Sequence, residues 1–305
     1  MARARAKEIW AGLLYKPKLP KKPLAESSLP FHIGSNITIQ NYNTFLNNHG
    51  SEGYKFYFEL NTGNKTGSVY IIDMASHVHE CVLSRLQDFF KVPNGRVVDD
   101  PPIKVIGQPL HFKPDGSGVE IAPDVAVYPD RAFVPRPVDS IIVPRPPSDV
   151  DGHPHARIVC EVAVGQNVGR LKKRCLTWML QEYVRAVISI KILDPRPGIR
   201  EPRTGYFYRI MTAKLYRQGM VEQEWDFGNV RKNSRDPIDD PAPCNAPNLP
   251  GFLINIPVGE VFWDPPDPSP DHTRRYVPVI PDAITVRNFT IDLYRIQQVA
   301  LKAKM

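Results

Sequence analysis

Arg157-Ile-Val-Cys-Glu161-Val-Ala-Val164 and Ala186-Val-Ile-Ser-Ile-Lys-Ile-Leu193 are two apolar, β-branched runs, and a helical pattern from about Asn167 to Glu182 lies between them. Gly165 closes the first run and Asp194-Pro-Arg-Pro-Gly198 the second, so both read as core strands. In the intervening segment Leu171, Cys175, Trp178 and Met179 form an apolar stripe, while Arg170, Lys172, Lys173 and Arg174 crowd the first half. A crossover of this length favours parallel pairing of the two strands in one sheet. The expected class is therefore α/β (α+β).

Upstream, Val119-Glu-Ile-Ala-Pro-Asp124-Val-Ala-Val-Tyr128 is a further strand, after short strands around Ile103–Ile106 and Leu110–Phe112. Val78, Val82, Leu83, Leu86, Phe89 and Phe90 fall at three- and four-residue spacing and predict a helix from about Ser76 to Lys91, ended by Pro93-Asn-Gly95. Tyr54–Leu60 and Ser68–Asp73 read as strands around a turn-rich segment. Prolines crowd residues 129–154, which predicts a long loop with Ile141-Ile-Val143 pinned to the body. Downstream, strands are expected at Gly205–Tyr216, Gly219–Phe227, Phe252–Ile256 and the Gly259–Trp263 edge. Phe289, Leu293, Ile296 and Ala300 predict a C-terminal helix within 282–305. Residues 1–30 are basic, Pro-bearing and aperiodic, and read as a disordered tail; 31–281 read as one domain.

A chain of 305 residues with 42% hydrophobic and 10% aromatic residues can bury a sizeable core. Thirty-nine Lys and Arg against 32 Asp and Glu give a net charge of +7, which suits a polyanionic partner without requiring one. The four cysteines, Cys81, Cys160, Cys175 and Cys244, form no CxxC pair and no zinc spacing, which points to a reducing, intracellular setting, nucleus or cytoplasm left open. No run reaches the ~18 apolar residues of a membrane span, so no membrane partner is expected. The basic segments before Lys22 read equally as a targeting signal or a solvated tail.

Two acids stand in apolar strands, Asp124 and Glu161. Burying a carboxylate unpaired costs several kcal/mol, so two such guests suggest carboxylates converging on a divalent cation, which hard oxygen ligands suit.

The order of pieces resembles the PD-(D/E)XK restriction-endonuclease-like superfamily, and more narrowly the Uma-type family of restriction endonucleases, over roughly residues 70–265. The pieces are His77-Val-His-Glu80, Ala122-Pro-Asp124-Val-Ala-Val127, Ile158-Val-Cys-Glu161-Val-Ala-Val164, the helix to Trp178, Leu193-Asp194-Pro195, Leu249-Pro-Gly-Phe252 and Val258–Phe262. The resemblance implies a restriction-endonuclease-like fold, a mixed central sheet flanked by helices, and a nuclease in which Asp124 and Glu161 hold Mg2+ (or Mn2+) to hydrolyse phosphodiesters. Glu80 becomes a candidate third carboxylate, or a plain surface residue, and His77 its candidate helix partner. The position that would complete Glu-x-Lys is Ala163. In Uma-type relatives the lysine can come from the following helix, where the matching register holds Arg174, four residues before Trp178; Lys172 and Lys173 are the alternatives. Arginine can stabilise a phosphate but serves poorly as a base. Gln166 could orient water or cap the helix. Arg170, Lys172, Lys173 and Arg174 are the candidate contacts to nucleic acid, with DNA placed ahead of RNA; a solvated basic face is the bland alternative. His111, His153 and His155 show no metal spacing, and His153-Pro-His155 reads as surface. A homodimer stays open. The rival reading, supported by Ala163, is a catalytically degenerate relative that binds nucleic acid or protein.

Overall fold

Residues 16–50, 52–62, 65–134, 144–234, 240–264 and 278–303 are described by the computed structural model. Its elements are β1 (Phe31–Thr38), α1 (Ile39–His49), β2 (Tyr54–Leu60), β3 (Thr66–Met74), α2 (His77–Lys91), β4 (Ile103–Gly107), β5 (His111–Phe112), β6 (Glu120–Ile121), β7 (Val125–Pro129), β8 (Ile158–Ala163), α3 (Val168–Met179), β9 (Ala186–Ile192), β10 (Met211–Arg217), β11 (Gln223–Asp226), β12 (Leu253–Pro257), β13 (Asn288–Asp292) and α4 (Leu293–Lys302).

The crossover through α3 sets the centre of the molecule. β8 and β9 pair in parallel, as their connection requires, and the remaining neighbours of a six-stranded sheet in the order β11-β10-β9-β8-β7-β4 pair antiparallel. The mixed sheet expected from the sequence is thus present. Both faces of its middle strands are covered, which is why they read as continuous apolar runs rather than alternating ones. Side chains still alternate between faces. On one face Ile158, Cys160 and Val162 join Ile188 and Ile190, under Val82, Leu86 and Phe90 of α2 and Ile296 of α4. On the other, Val159, Ala163 and Val187 lie under Leu171, Cys175 and Trp178 of α3. Cys160 and Cys175 sit in these layers as small apolar groups.

Helix starts follow capping chemistry. Ser76 accepts from the His79 N–H, Asn167 from Arg170 and Asp292 from Tyr294. Asn167 therefore caps α3, and Gln166 does not.

A second, smaller layer precedes the central sheet. β1, β3 and β2 form an antiparallel three-stranded sheet, with Tyr42, Phe45 and Leu46 of α1 packing on its inner residues Phe56, Phe58, Val69 and Ile71. Sequence reading started the β structure only at Tyr54 and did not find β1 or α1. The expected tail also needs correction. From Lys16 on it is ordered against this layer: Leu19, Leu24 and Leu29 pack on its core and the Lys18 N–H donates to the Ile33 carbonyl at 3.0 Å. Residues 1–15, and with them the first basic cluster, lie outside the described residues.

Two further expectations change near the end. Val258–Phe262 is a 3-10 turn rather than an edge strand, its Val258, Val261 and Phe262 buried by packing. Phe289 belongs to β13, paired with β12, so the terminal helix begins only at Leu293. Ile141–Val143 of the Pro-rich loop lie outside the described residues.

Candidate active site

Asp124 immediately precedes β7, and its N–H donates to the Cys160 carbonyl at 3.1 Å, extending the β7–β8 ladder. The ladder pairs Val125 with Cys160 and Ala126 with Val159, so one further step sets Asp124 across from Glu161. Both point to the α3 face, because Asp124 shares parity with Ala126 and Glu161 with Val159. Directly opposed residues lie about 5 Å apart at Cβ, where two like charges repel. Glu161 is fully buried and Asp124 nearly so. Something cationic has to sit with them.

The cation comes from the small N-terminal sheet. Lys55 Nζ lies 2.6 Å from Asp124 Oδ2 and 2.5 Å from Glu161 Oε2. The β2–β3 pairing has a register irregularity between Lys55 and Phe56, and bulges beside sites commonly re-aim a residue. Arg174, from the first half of α3, places Nε 2.7 Å from Glu161 Oε1 and also donates to the Ala122 carbonyl. The Trp178 indole N–H donates to the same Glu161 oxygen at 2.6 Å, and the Val162 N–H donates to Asp124 Oδ2 at 2.7 Å. Arg174 and Trp178 are one helical turn apart, so one face of α3 presents both donors.

These contacts set protonation. Burial alone would raise the Asp124 pKa, but Lys55 and then His79 outweigh it and hold the carboxyl well below the usual carboxylate range. Burial likewise works against a charged Lys55, and the attraction of Asp124 and Glu161 prevails, raising its pKa. His79 Nε2 lies 3.6 Å from Asp124 Oδ2 and its Nδ1 lies 2.9 Å from Glu80 Oε1. Despite burial, those acids push the imidazole up to about 9. At neutral pH Asp124 is therefore ionised, and Lys55 and His79 are protonated.

A cleft of about 490 Å3 opens over the group, lined among others by Lys55, His79, Glu80, Asp124 and Arg174. Asp124 Oδ1 has no hydrogen-bond partner among the described residues, and Asp124 lines that cleft. Asp124 thus offers the cleft a free carboxylate oxygen, the kind of ligand a hard divalent cation takes, whereas Glu161 does not line the cleft and has Oε1 held by Arg174 and Trp178 and Oε2 by Lys55.

The sequence-predicted residues divide accordingly. Asp124, Glu161 and Arg174 come together, and Glu80 reaches the cleft's rim as an exposed side chain. His77 does not reach the cleft: it is exposed, with its ring 3.6 Å from the Cys81 sulfur one turn along α2. Arg170, Lys173 and Gln166 line a separate cavity beyond Arg174, whereas Lys172 is exposed and lines neither. Gln166 is therefore not among the residues that line the cleft over the carboxylates.

Lys55, His79 and the indole N–H of Trp178 escaped sequence reading. Lys55 carried a usable signal, a lone charge in the aromatic run Tyr54-Lys-Phe-Tyr-Phe58, the same kind of misfit that drew attention to Asp124 and Glu161. Two histidines also move. His155, expected at the surface, is fully buried with its ring centroid 4.5 Å from that of His111, whose Nε2 lies 3.1 Å from the Tyr128 hydroxyl. His153 belongs with Asp149 and Asp151 to a group whose ligand atoms all lie within 4.8 Å. Asp149 already accepts from the His153 N–H at 2.7 Å, a bond that ties the loop together.

No protein-family model matches the chain, and no curated protein matches it.

Proposed function

We propose that the protein is a metal-dependent nuclease of restriction-endonuclease-like type, hydrolysing phosphodiester bonds in nucleic acid, with DNA the first substrate to test. The observation that carries this reading is the buried cross-strand pair Asp124–Glu161 beside a cleft that Asp124 lines, the two acids being joined by Lys55 from a separate sheet. Asp124, through its free oxygen, would hold Mg2+ or Mn2+, and Glu161 would join it where Lys55 gives up Oε2. When bound, the ion acidifies a water and neutralises charge at the phosphoryl group.

The chain's own residues would do the rest. Lys55 would take the part that Ala163 cannot, supplying an ammonium at the carboxylates from β2 instead of β8. Arg174, permanently charged and half-buried at the cleft, would stabilise a phosphate there while holding Glu161 in place. Trp178 and the Val162 N–H fix the carboxylates' orientation so that little reorganisation accompanies reaction. Purified protein with Mn2+ should nick supercoiled plasmid, and Asp124→Asn or Glu161→Gln should abolish nicking.

One observation favours a second reading, a catalytically degenerate relative that binds nucleic acid without cutting it. Lys55 and Arg174 together balance the two carboxylates, so the charge of the pair is met without any ion. Salt-sensitive DNA binding with intact plasmid in Mn2+, unchanged by either substitution, would support that reading.

A further inference from the structure

Beyond Arg174 lies a second cavity of about 480 Å3, within the range of small-ligand sites. Arg174 lines both it and the carboxylate cleft, so the two spaces are neighbours across one side chain. One part of its wall is apolar, with Leu60, Ile72 and Ile121. The other is cationic, with Lys113, Arg170 and Lys173, none of which has an ion-pair partner among the described residues. Lys113 holds only a 3.5 Å contact to the Phe58 carbonyl and lies 5.7 Å from the centre of the Tyr57 ring. Glu59 and Asp115 also line the cavity, both exposed.

Two residues that line it each carry a buried polar atom without a hydrogen-bond partner. Gln166 is 2% exposed, and its Oε1 has no hydrogen-bond partner; Arg170 Nη1 is likewise buried and without one. A buried polar atom left without a partner is destabilising until something answers it. One is an acceptor and the other a donor, yet they do not bond to each other. A backbone phosphodiester alone could answer Arg170 but has no donor for Gln166. The edge of a nucleobase offers both, and its flat body suits the apolar wall.

We propose that this cavity binds one unpaired nucleotide of a nucleic-acid strand. Its base edge meets Gln166 and Arg170, its face lies on the apolar wall, and its phosphate meets Lys113 and Lys173. The proposal deepens the nuclease reading by naming a single-stranded or locally opened segment as substrate, but the binding itself requires no cleavage.

The test is calorimetric titration of the full chain in EDTA. The titrants are a short single-stranded oligodeoxynucleotide, the blunt duplex of the same sequence, and inorganic phosphate. The single strand should bind more tightly than either other titrant. Gln166→Leu should weaken single-strand binding about tenfold, the scale of one buried hydrogen bond, and leave any phosphate binding unchanged. Lys173→Ala, at an exposed position that does not threaten folding, should weaken single strand by a few-fold and flatten the salt dependence. Duplex or phosphate binding as tight as single strand, or unchanged single-strand affinity in Lys173→Ala and in a folded Gln166→Leu, would overturn the proposal. Single-strand binding lost in these variants, together with no Mn2+-dependent nicking by wild type, would sink the nuclease reading and keep the pocket. Nicking with single-strand affinity indifferent to both variants would do the reverse.

Discussion

Lys55 is the residue on which the site's electrostatics turn. Replacing it with Met leaves two opposed, buried carboxylates without their shared ammonium, and breaking such a buried pair costs about 3–5 kcal/mol. Lys55→Met should therefore unfold at markedly lower denaturant than wild type, and Mn2+ should recover more stability for it than for wild type, because the ion no longer competes with an ammonium. Parallel urea melts with and without Mn2+ check this; a variant as stable as wild type would show that Lys55 is a surface decoration. Trp178→Phe keeps the ring's bulk but removes the N–H that Glu161 Oε1 accepts. It should cost about 1–3 kcal/mol by the same assay. His111 makes a separate prediction. Burial outweighs the Pro109 carbonyl bond and pushes its pKa down to about 4, from an ordinary value of 6.5. The unfolded chain thus binds a proton between those values that the folded chain refuses, so stability is full above about pH 6.5 and falls as pH drops toward 4. The loss from this one group is on the order of 3 kcal/mol. His111→Gln should flatten that limb of a stability-versus-pH curve; an unchanged slope would exclude His111 as its source.

Among the elements, the seam between the N-terminal sheet and the central one decides whether Lys55 arrives at all. Asp73, at the end of β3, accepts from the Val164 N–H at 3.1 Å and the Gly165 N–H at 3.0 Å, just past the end of β8. Gly165 is tight there: a Cβ would stand 2.8 Å from Leu29 Cδ1 and 3.2 Å from Asp73 Oδ1. Asp73→Asn should weaken this docking by about 1.5–3 kcal/mol, the scale of hydrogen bonds to a charged group. Hydrogen exchange at the Val164 and Gly165 amides should speed up well before the central strands open. Uniform protection across the chain would argue against a separable seam. At this scale the sequence was legible where period and punctuation agreed. α2, α3, β8 and β9 announced themselves through apolar spacing and Gly or Pro ends. β1 and α1 did not, because Phe31–Thr38 is interrupted by Gly34 and by Asn36 at a positive φ of 56°, and α1 carries Asn41, Asn43, Asn47 and Asn48, poor helix formers whose place is fixed by packing. β13 was folded into the helix pattern because Phe289 happens to stand four residues before Leu293. The candidate site was legible by half. Asp124 and Glu161 betrayed themselves as misfits in strands, but Lys55 lies 69 and 106 positions away from them, and its meeting with them exists only in three dimensions.

For the molecule as a whole, the excess of 7 positive charges matters through where it gathers. Lys113, Arg170, Lys173 and Arg174 line one cavity, and Arg174 connects it to the carboxylate cleft. Nucleic acid crossing both would have its phosphates on the cationic side and one of them over Asp124 and Glu161. Binding should then fall steeply with salt, as counterion release requires. The central claim is that the two opposed acids receive a divalent cation. Calorimetric titration of Mn2+ into the purified chain, beside Asp124→Asn and Glu161→Gln, asks this most directly. The account predicts a saturable event in wild type that both substitutions abolish. No saturable heat in wild type, or the same heat in both variants, would contradict it.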